Sequence, residues 1–269
     1  MKNKIKEIIF IFFLSTNLHA DLIAVPGEII AIKLNEKITK LHDNDLIINF
    51  NGNEYAILPV PYSANDTVIK KGSYSIKVKK KDFGESRITI TNPSMVDLSK
   101  SDSDRAYKES LLIKKALNTF TNNISPSFDF ISPVEGIISS RYGKKRFIND
   151  KPRSPHLALD IAASEGTTII APSSGRIILV GDFFYSGKYI MLDHGKGLIS
   201  SYSHMSEISV SIDSNVKKGD ILGKVGSTGR VTGPHLHWSV YLNKERINPE
   251  SLLKENYLDL LLKASQDSI

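Results

Sequence analysis

The segment Gly233-Pro234-His235-Leu236-His237-Trp238-Ser239-Val240-Tyr241 alternates polar and apolar residues with a period of two. In a β-strand that period sends successive side chains to opposite faces, so His235 and His237 share one face while Leu236 and Trp238 share the other. Trp238 therefore belongs to a core. The two imidazoles are either a hydrogen-bonded surface pair or a metal ligand beside a second functional histidine, and the pair alone leaves both readings open.

Upstream of this strand, glycines recur at short intervals from Gly136 to Gly233, and no long helical pattern interrupts them. Short strands separated by turns, as in an all-β domain, fit that spacing. Five of the seven histidines fall between His156 and His237. Such clustering in a cysteine-free chain suggests a metal site, although each histidine by itself is more often structural. His156 and Asp160, in His156-Leu157-Ala158-Leu159-Asp160, offer a nitrogen and an oxygen ligand, and the segment enters a strand rather than a helix.

From Ser101 the period changes to 3.6. Ala106, Leu112, Ile113, Ala116, Leu117 and Phe120 fall on one face of an expected helix of roughly 17 residues, with Ser101 and Asp104 as its N-terminal cap. Preceding it are β-rich runs over residues 27–34, 45–50, 54–60, 72–79 and 87–92, separated by turn signals at Asn51-Gly52 and Lys71-Gly72. These runs suggest an N-terminal immunoglobulin-like β-sandwich. The last stretch, from Glu250, carries leucines at helical spacing and reads as a docking helix. The expected organisation is a leader over 1–20, a β-sandwich over 21–98, a linking helix over 99–123, a β-sheet catalytic domain over 124–250 and a C-terminal helix over 251–269.

The leader is read from Lys2, Lys4 and Lys6, the apolar run over residues 8–14, and Leu18-His19-Ala20 as a cleavage point. That run is far shorter than the ~20 residues a transmembrane helix needs, so a cleaved secretory signal is expected, with the protein in the periplasm or cell envelope. The absence of cysteine excludes disulfides, zinc fingers, iron–sulfur clusters, a thiol nucleophile and a lipid-modified N-terminal cysteine. A net charge of +6 and a pI near 9.2 suit an anionic partner in the broadest sense. The short basic stretches 79–81 and 144–146 read as solvated surface, and with no recognition motif a nucleic-acid partner is not expected. No H-E-x-x-H, G-x-S-x-G or phosphate-binding Gly-Lys-Ser/Thr sequence occurs. The loop 226–233 reads as a turn forming one wall of a cleft. Tyr189 and Tyr202 read as buried packing, and His194 as a loop hydrogen-bonding residue.

Three elements together resemble the M23 zinc metallopeptidases, the lysostaphin and LytM-like peptidoglycan endopeptidases. They are H-x-x-x-D at His156 and Asp160, Ser203-His204 after a strand, and Thr228-Gly229-Arg230-Val231-Thr232-Gly233-Pro234-His235-Leu236-His237. Ser140-Arg141-Tyr142-Gly143 at the entry and Val216-Lys217-Lys218-Gly219-Asp220 before the last loop also match, over residues 132–249 in all. The resemblance implies a LytM-like antiparallel β-sheet with one zinc ion (Zn2+) held by His156, Asp160 and His237, and with His204 and His235 as the catalytic pair. It further implies peptidoglycan peptide stems as substrate. One departure is Ala158, where many members have glycine. Cleavage of wall crosslinks is the first functional expectation, and a catalytically silent wall-binding regulator of another hydrolase is the second. Residues 21–95, joined by a short connector, are expected to restrict access to the metal.

Overall fold

The computed structural model describes residues 22–35, 44–71 and 74–266. The leader lies outside these residues, as does half of the Lys71-Gly72 turn signal. Among the described residues no helix is long and apolar enough to cross a membrane.

The protein is mainly β. The N-terminal part holds two three-stranded sheets. One is antiparallel, with strand Asn53–Pro59 between Ile29–Lys33 and Leu46–Phe50. The other sets Tyr74–Val78 between Val68–Lys71 and Leu22–Ala24, the latter pair being parallel. Ile32, Ala56, Leu58, Val60, Ile76 and Val78 make a common apolar core for the two sheets. The Asn51-Gly52 signal forms the hairpin turn: both residues take positive φ, 50° and 75°, as a type I′ connection requires. Strands Leu22–Ala24 and Val68–Lys71 were not among the expected runs. Each is only three or four residues long, too short to display a period.

The C-terminal part is a ten-stranded sheet. Its central strands lie in the order Gly175–Phe183, Gly187–Gly195, Leu198–Ile208, His235–Leu242, Leu159–Ala162 and Ile137–Ser140. Leu236 and Trp238 are fully buried beneath it, as the alternation required. One apolar core runs from this sheet into the N-terminal part: Ile29, Ala31, Leu46, Tyr55 and Ile57 pack in the same cluster as Trp238, Leu159 and Leu192. A second connection is a three-stranded sheet in which Glu85–Ile88 pairs in parallel with Lys145–Ile148.

The connecting helix spans Lys100–Ala116. Its cap is Ser99 rather than Ser101, the Ser99 hydroxyl accepting the Asp102 N–H at 3.1 Å. Leu112 does not join the inner face and is 49% exposed; Ile113, Ala116 and Leu117 pack on Phe183, Tyr189 and Met191 of the sheet, and polar contacts add to them. Glu109 accepts the Phe184 N–H at 2.7 Å, and Arg105 donates to the Asp182 carbonyl at 3.0 Å. The C-terminal stretch is two helices rather than one, Pro249–Leu252 and Tyr257–Gln266. Asn256, with φ of 53°, marks the break. Leu262 of the second helix is buried in the core that contains Ile29 and Ala31.

Candidate metal centre and active site

Strand pairing builds the site. Strand Leu159–Ala162 runs antiparallel to His235–Leu242 in a register that sets Asp160 opposite His237 and Ala162 opposite His235. Cross-strand partners share a face, so Asp160 and His237 face the same cleft. His156, in the loop entering the first of these strands, is 1% exposed. Its Nδ1 lies 3.1 Å from the Arg141 carbonyl, which makes Nδ1 the protonated nitrogen and leaves the Nε2 lone pair free. Nε2 then stands 2.9 Å from Asp160 Oδ1 and 3.3 Å from His237 Nδ1, and His237 Nδ1 is 2.7 Å from the same Oδ1. These three residues could hold a metal ion between them.

Ala158 causes no distortion at this corner. It is fully buried and lies outside the positive-φ residues, so its methyl group does not strain the backbone.

His204 reaches the same cleft by a different route. Ser203 is paired opposite His237, so simple alternation would send His204 to the other side of the sheet. Instead, the pairing of Leu198–Ile208 with Gly187–Gly195 shifts register between the Lys188 and Ile190 positions, and His204 takes a left-handed φ of 67°. A bulge of this kind re-aims a side chain. His204 consequently lines the cleft with His235, their rings 4.9 Å apart. Its Nδ1 is 2.8 Å from the Thr228 carbonyl, and His235 Nδ1 is 2.9 Å from the Gly233 carbonyl. Each ring thereby donates through Nδ1 and keeps Nε2 as an acceptor.

Thr228 organises the wall formed by the 226–233 loop. Its hydroxyl accepts the Lys188 N–H at 2.9 Å and donates to the Met205 carbonyl at 2.8 Å. Gly187 and Gly229 both take positive φ where their backbones meet, a close approach that a β-carbon at either would block.

The electrostatics follow from burial and neighbours. Burial would raise the Asp160 carboxyl, but the His237 and His156 imidazoles outweigh it and hold the group well below the usual carboxylate range. Burial, opposed by Asp160, brings His237 down to about 4. Burial again, reinforced by His237 and His235, brings His204 to about 3. At neutral pH Asp160 is thus a carboxylate facing a neutral His237, the protonation state metal binding requires of these two groups.

Asp160, His204, His235 and His237 line one cleft of about 420 Å3, and His156 is buried behind it, its Nε2 against Asp160 and His237. The remaining histidine of that stretch, His194, does not line it. It is buried in the sheet between the Ser174 carbonyl and the Ser200 hydroxyl, each at 2.8 Å. Tyr189 and Tyr202 are likewise core residues, 3% and 0% exposed.

The cleft also contains residues that the sequence reading passed over. Tyr185 and Arg230 line it, with the guanidinium 4.2 Å from the ring centre, and Ser86 and Ile88 reach it from the N-terminal part. Arg146, expected to be solvated, lines it as well. The signal for Arg146 was present: over Lys145–Ile148 the two-residue period pairs Arg146 with the apolar Ile148 and not with Lys145.

Comparison with known proteins places the fold in a family. The model of peptidase family M23 matches residues 154–249. A solved peptidase M23 structure from Pseudomonas aeruginosa is 30% identical with a TM-score of 0.67, over 85% of this chain and 94% of that one. Among curated relatives, DD-carboxypeptidase/endopeptidase Mpg of Neisseria meningitidis serogroup B is 39% identical over 97 residues. Peptidoglycan DD-endopeptidase ShyA of Vibrio cholerae is 33% identical over 112 residues. These matches take in 36% and 41% of the chain but only 22% and 26% of the two relatives' own lengths. The Pseudomonas structure is 30% identical and matched over nearly its whole length, and on that footing the chain belongs to peptidase family M23.

Proposed function

We propose that this protein is a zinc-dependent peptidoglycan hydrolase cutting the peptide crosslinks of the cell wall. It acts as a D,D-endopeptidase, and removal of terminal D-alanine is a related capacity of the same site. The observation that carries this reading is the convergence of His156 Nε2, Asp160 Oδ1 and His237 Nδ1 at the wall of a cleft that His204 and His235 also line. Two imidazole nitrogens and one carboxylate oxygen are a donor set that catalytic zinc accepts, leaving a fourth position open. Ligands about 2.0–2.1 Å from a tetrahedral zinc stand roughly 3.3 Å from one another. The three atoms are 2.7–3.3 Å apart, so they fit the ion after an outward adjustment of a few tenths of an ångström. Relatives named as metalloproteases support a metal at this position.

Bound there, zinc supplies a water acidified to a pKa of about 7 and polarises the amide carbonyl. The chain does the rest. The Arg141 carbonyl fixes the tautomer and ring orientation of His156. His204 and His235, held through Nδ1 by backbone carbonyls, present Nε2 to the cleft. Between them they can take a proton from the attacking water, donate to the developing oxyanion and return a proton to the leaving amine.

The substrate class rests on the names of Mpg and ShyA, and export to the periplasm or envelope accompanies it. The division into 21–98, 99–123, 124–250 and 251–269 belongs to the same reading. So does a role for the N-terminal part in restricting access, supported by Ser86 and Ile88 at the cleft. A silent wall-binding regulator is disfavoured, because the ligand set and both further histidines are in place.

Mass spectrometry of muropeptides released from diaminopimelate-type sacculi tests the proposal. Crosslinked dimers should give way to monomers with the wild type and stay intact with His237→Ala. Dimers left intact by the zinc-loaded wild type would overturn it.

A further inference from the structure

Arg146 sits on the cleft-facing side of strand Lys145–Ile148, on the same face as the buried Ile148. Its register partners are Ser86 on one side and the exposed Arg153 on the other. Arg230 approaches from the 226–233 loop, braced on Tyr185 and reaching the Met95 carbonyl at 3.4 Å. Among the described residues the Arg146 guanidinium makes no hydrogen bond or ion pair. The only carboxylate lining the cleft among the described residues is Asp160, which lies against His156 and His237 and reaches Arg146 through its charge alone. Burial, opposed by Tyr185 and reinforced by the like charges of Arg146 and Arg153, holds Arg230 below its usual range, and burial, opposed by Asp160 and reinforced by Arg246, does the same to Arg146.

A part-buried guanidinium that feels the Asp160 carboxylate only through space, with no hydrogen-bonded partner among the described residues, gains from an anion that completes it. Five donors in a planar fork match a carboxylate, which accepts two of them side by side. In a D-alanyl–diaminopimelate crosslink, the carbon bearing the scissile nitrogen also carries a free carboxylate. Resting on the hydrolase reading above, we infer that Arg146, assisted by Arg230, is the specificity-determining residue that binds a substrate carboxylate adjoining the scissile amide. The protein therefore selects crosslinks whose leaving residue is an α-carboxylate rather than an amide.

The test uses the full zinc-loaded chain and two crosslinked muropeptide dimers, identical except that this carboxylate is free in one and amidated in the other. Wild type should favour the free acid by about 10- to 100-fold in kcat/KM, the discrimination expected of charged hydrogen bonds. In Arg146→Gln the preference should shrink to a few-fold, the loss falling on the free acid. Arg146→Lys should keep part of the preference, since charge survives without the fork. Equal cleavage of both dimers by the wild type overturns the inference and leaves the hydrolase reading standing. Equal slowing of both by Arg146→Gln does the same, because a structural defect scales the two alike. Cleavage of neither dimer by the wild type overturns the hydrolase reading and this inference with it.

Discussion

His194 and His204 lie on adjacent strands of one sheet, are 1% and 8% exposed, and are both held low by burial, to about 4 and about 3. They differ in what their nitrogens touch. Both nitrogens of His194 are engaged, by the Ser174 carbonyl and the Ser200 hydroxyl, and its ring rests on Phe130 at 4.9 Å. His204 is tied through Nδ1 alone, to Thr228, and its ring faces His235 in the cleft. A depressed histidine therefore reports burial, whereas a nitrogen left unengaged toward a cleft reports chemistry.

The largest effect is expected at the proposed metal corner beside His204. His237→Ala should bind little zinc and lose muropeptide cleavage by roughly 10³-fold or more, measured as metal content and turnover. A variant that kept both would remove the distinction altogether. Next, His204→Ala should cut turnover by about 10²- to 10⁴-fold while keeping its zinc and most of its thermal stability. His194→Gln should behave in the opposite sense, with turnover of the folded enzyme largely kept and stability lost. If the two variants failed alike, the histidines would not be playing different roles.

Acid sharpens the contrast further. His194 is neutral in the fold and binds its proton more readily when unfolded, with a folded value of about 4 against 6.5 for the free side chain. The unfolded state thus holds more protons below pH 6.5. The stabilisation is complete above 6.5 and fades as the pH falls toward 4, by about 3 kcal/mol. Urea unfolding at pH 7 and pH 4.5 should show a shallower acid loss in His194→Gln than in the wild type. The smallest effect is expected from Ser200→Ala, which removes one partner of His194 and of the Tyr202 hydroxyl. It should cost roughly 1–3 kcal/mol in the same measurement, with turnover unchanged.

Much of the site was legible because it depends on local periods. The alternation over residues 235–241 separated the two cleft histidines from Leu236 and Trp238, and His156 and Asp160 lay at a strand entry as their setting indicated. Asn51-Gly52 turned the chain where a type I′ pair must. Arg146 was misjudged because a basic triplet was weighed by composition rather than by its place in a strand. The helix cap moved to Ser99 because Ser101 offers the same chemistry two residues later, and local sequence does not choose between them.

The amino-acid sequence by itself determined the β character of the chain, the inward face of the His235–Leu242 strand and the identity of the metal-ligand types. Those properties follow from side-chain alternation and donor chemistry, which need no distant partner. Only the tertiary structure decided that His204 turns into the cleft, that Arg146 lines it with no hydrogen-bonded partner among the described residues, and that Ser86 and Ile88 reach the same opening. Each depends on pairing between segments far apart in the chain, and a register shift or a parallel strand contact has no local sequence signature.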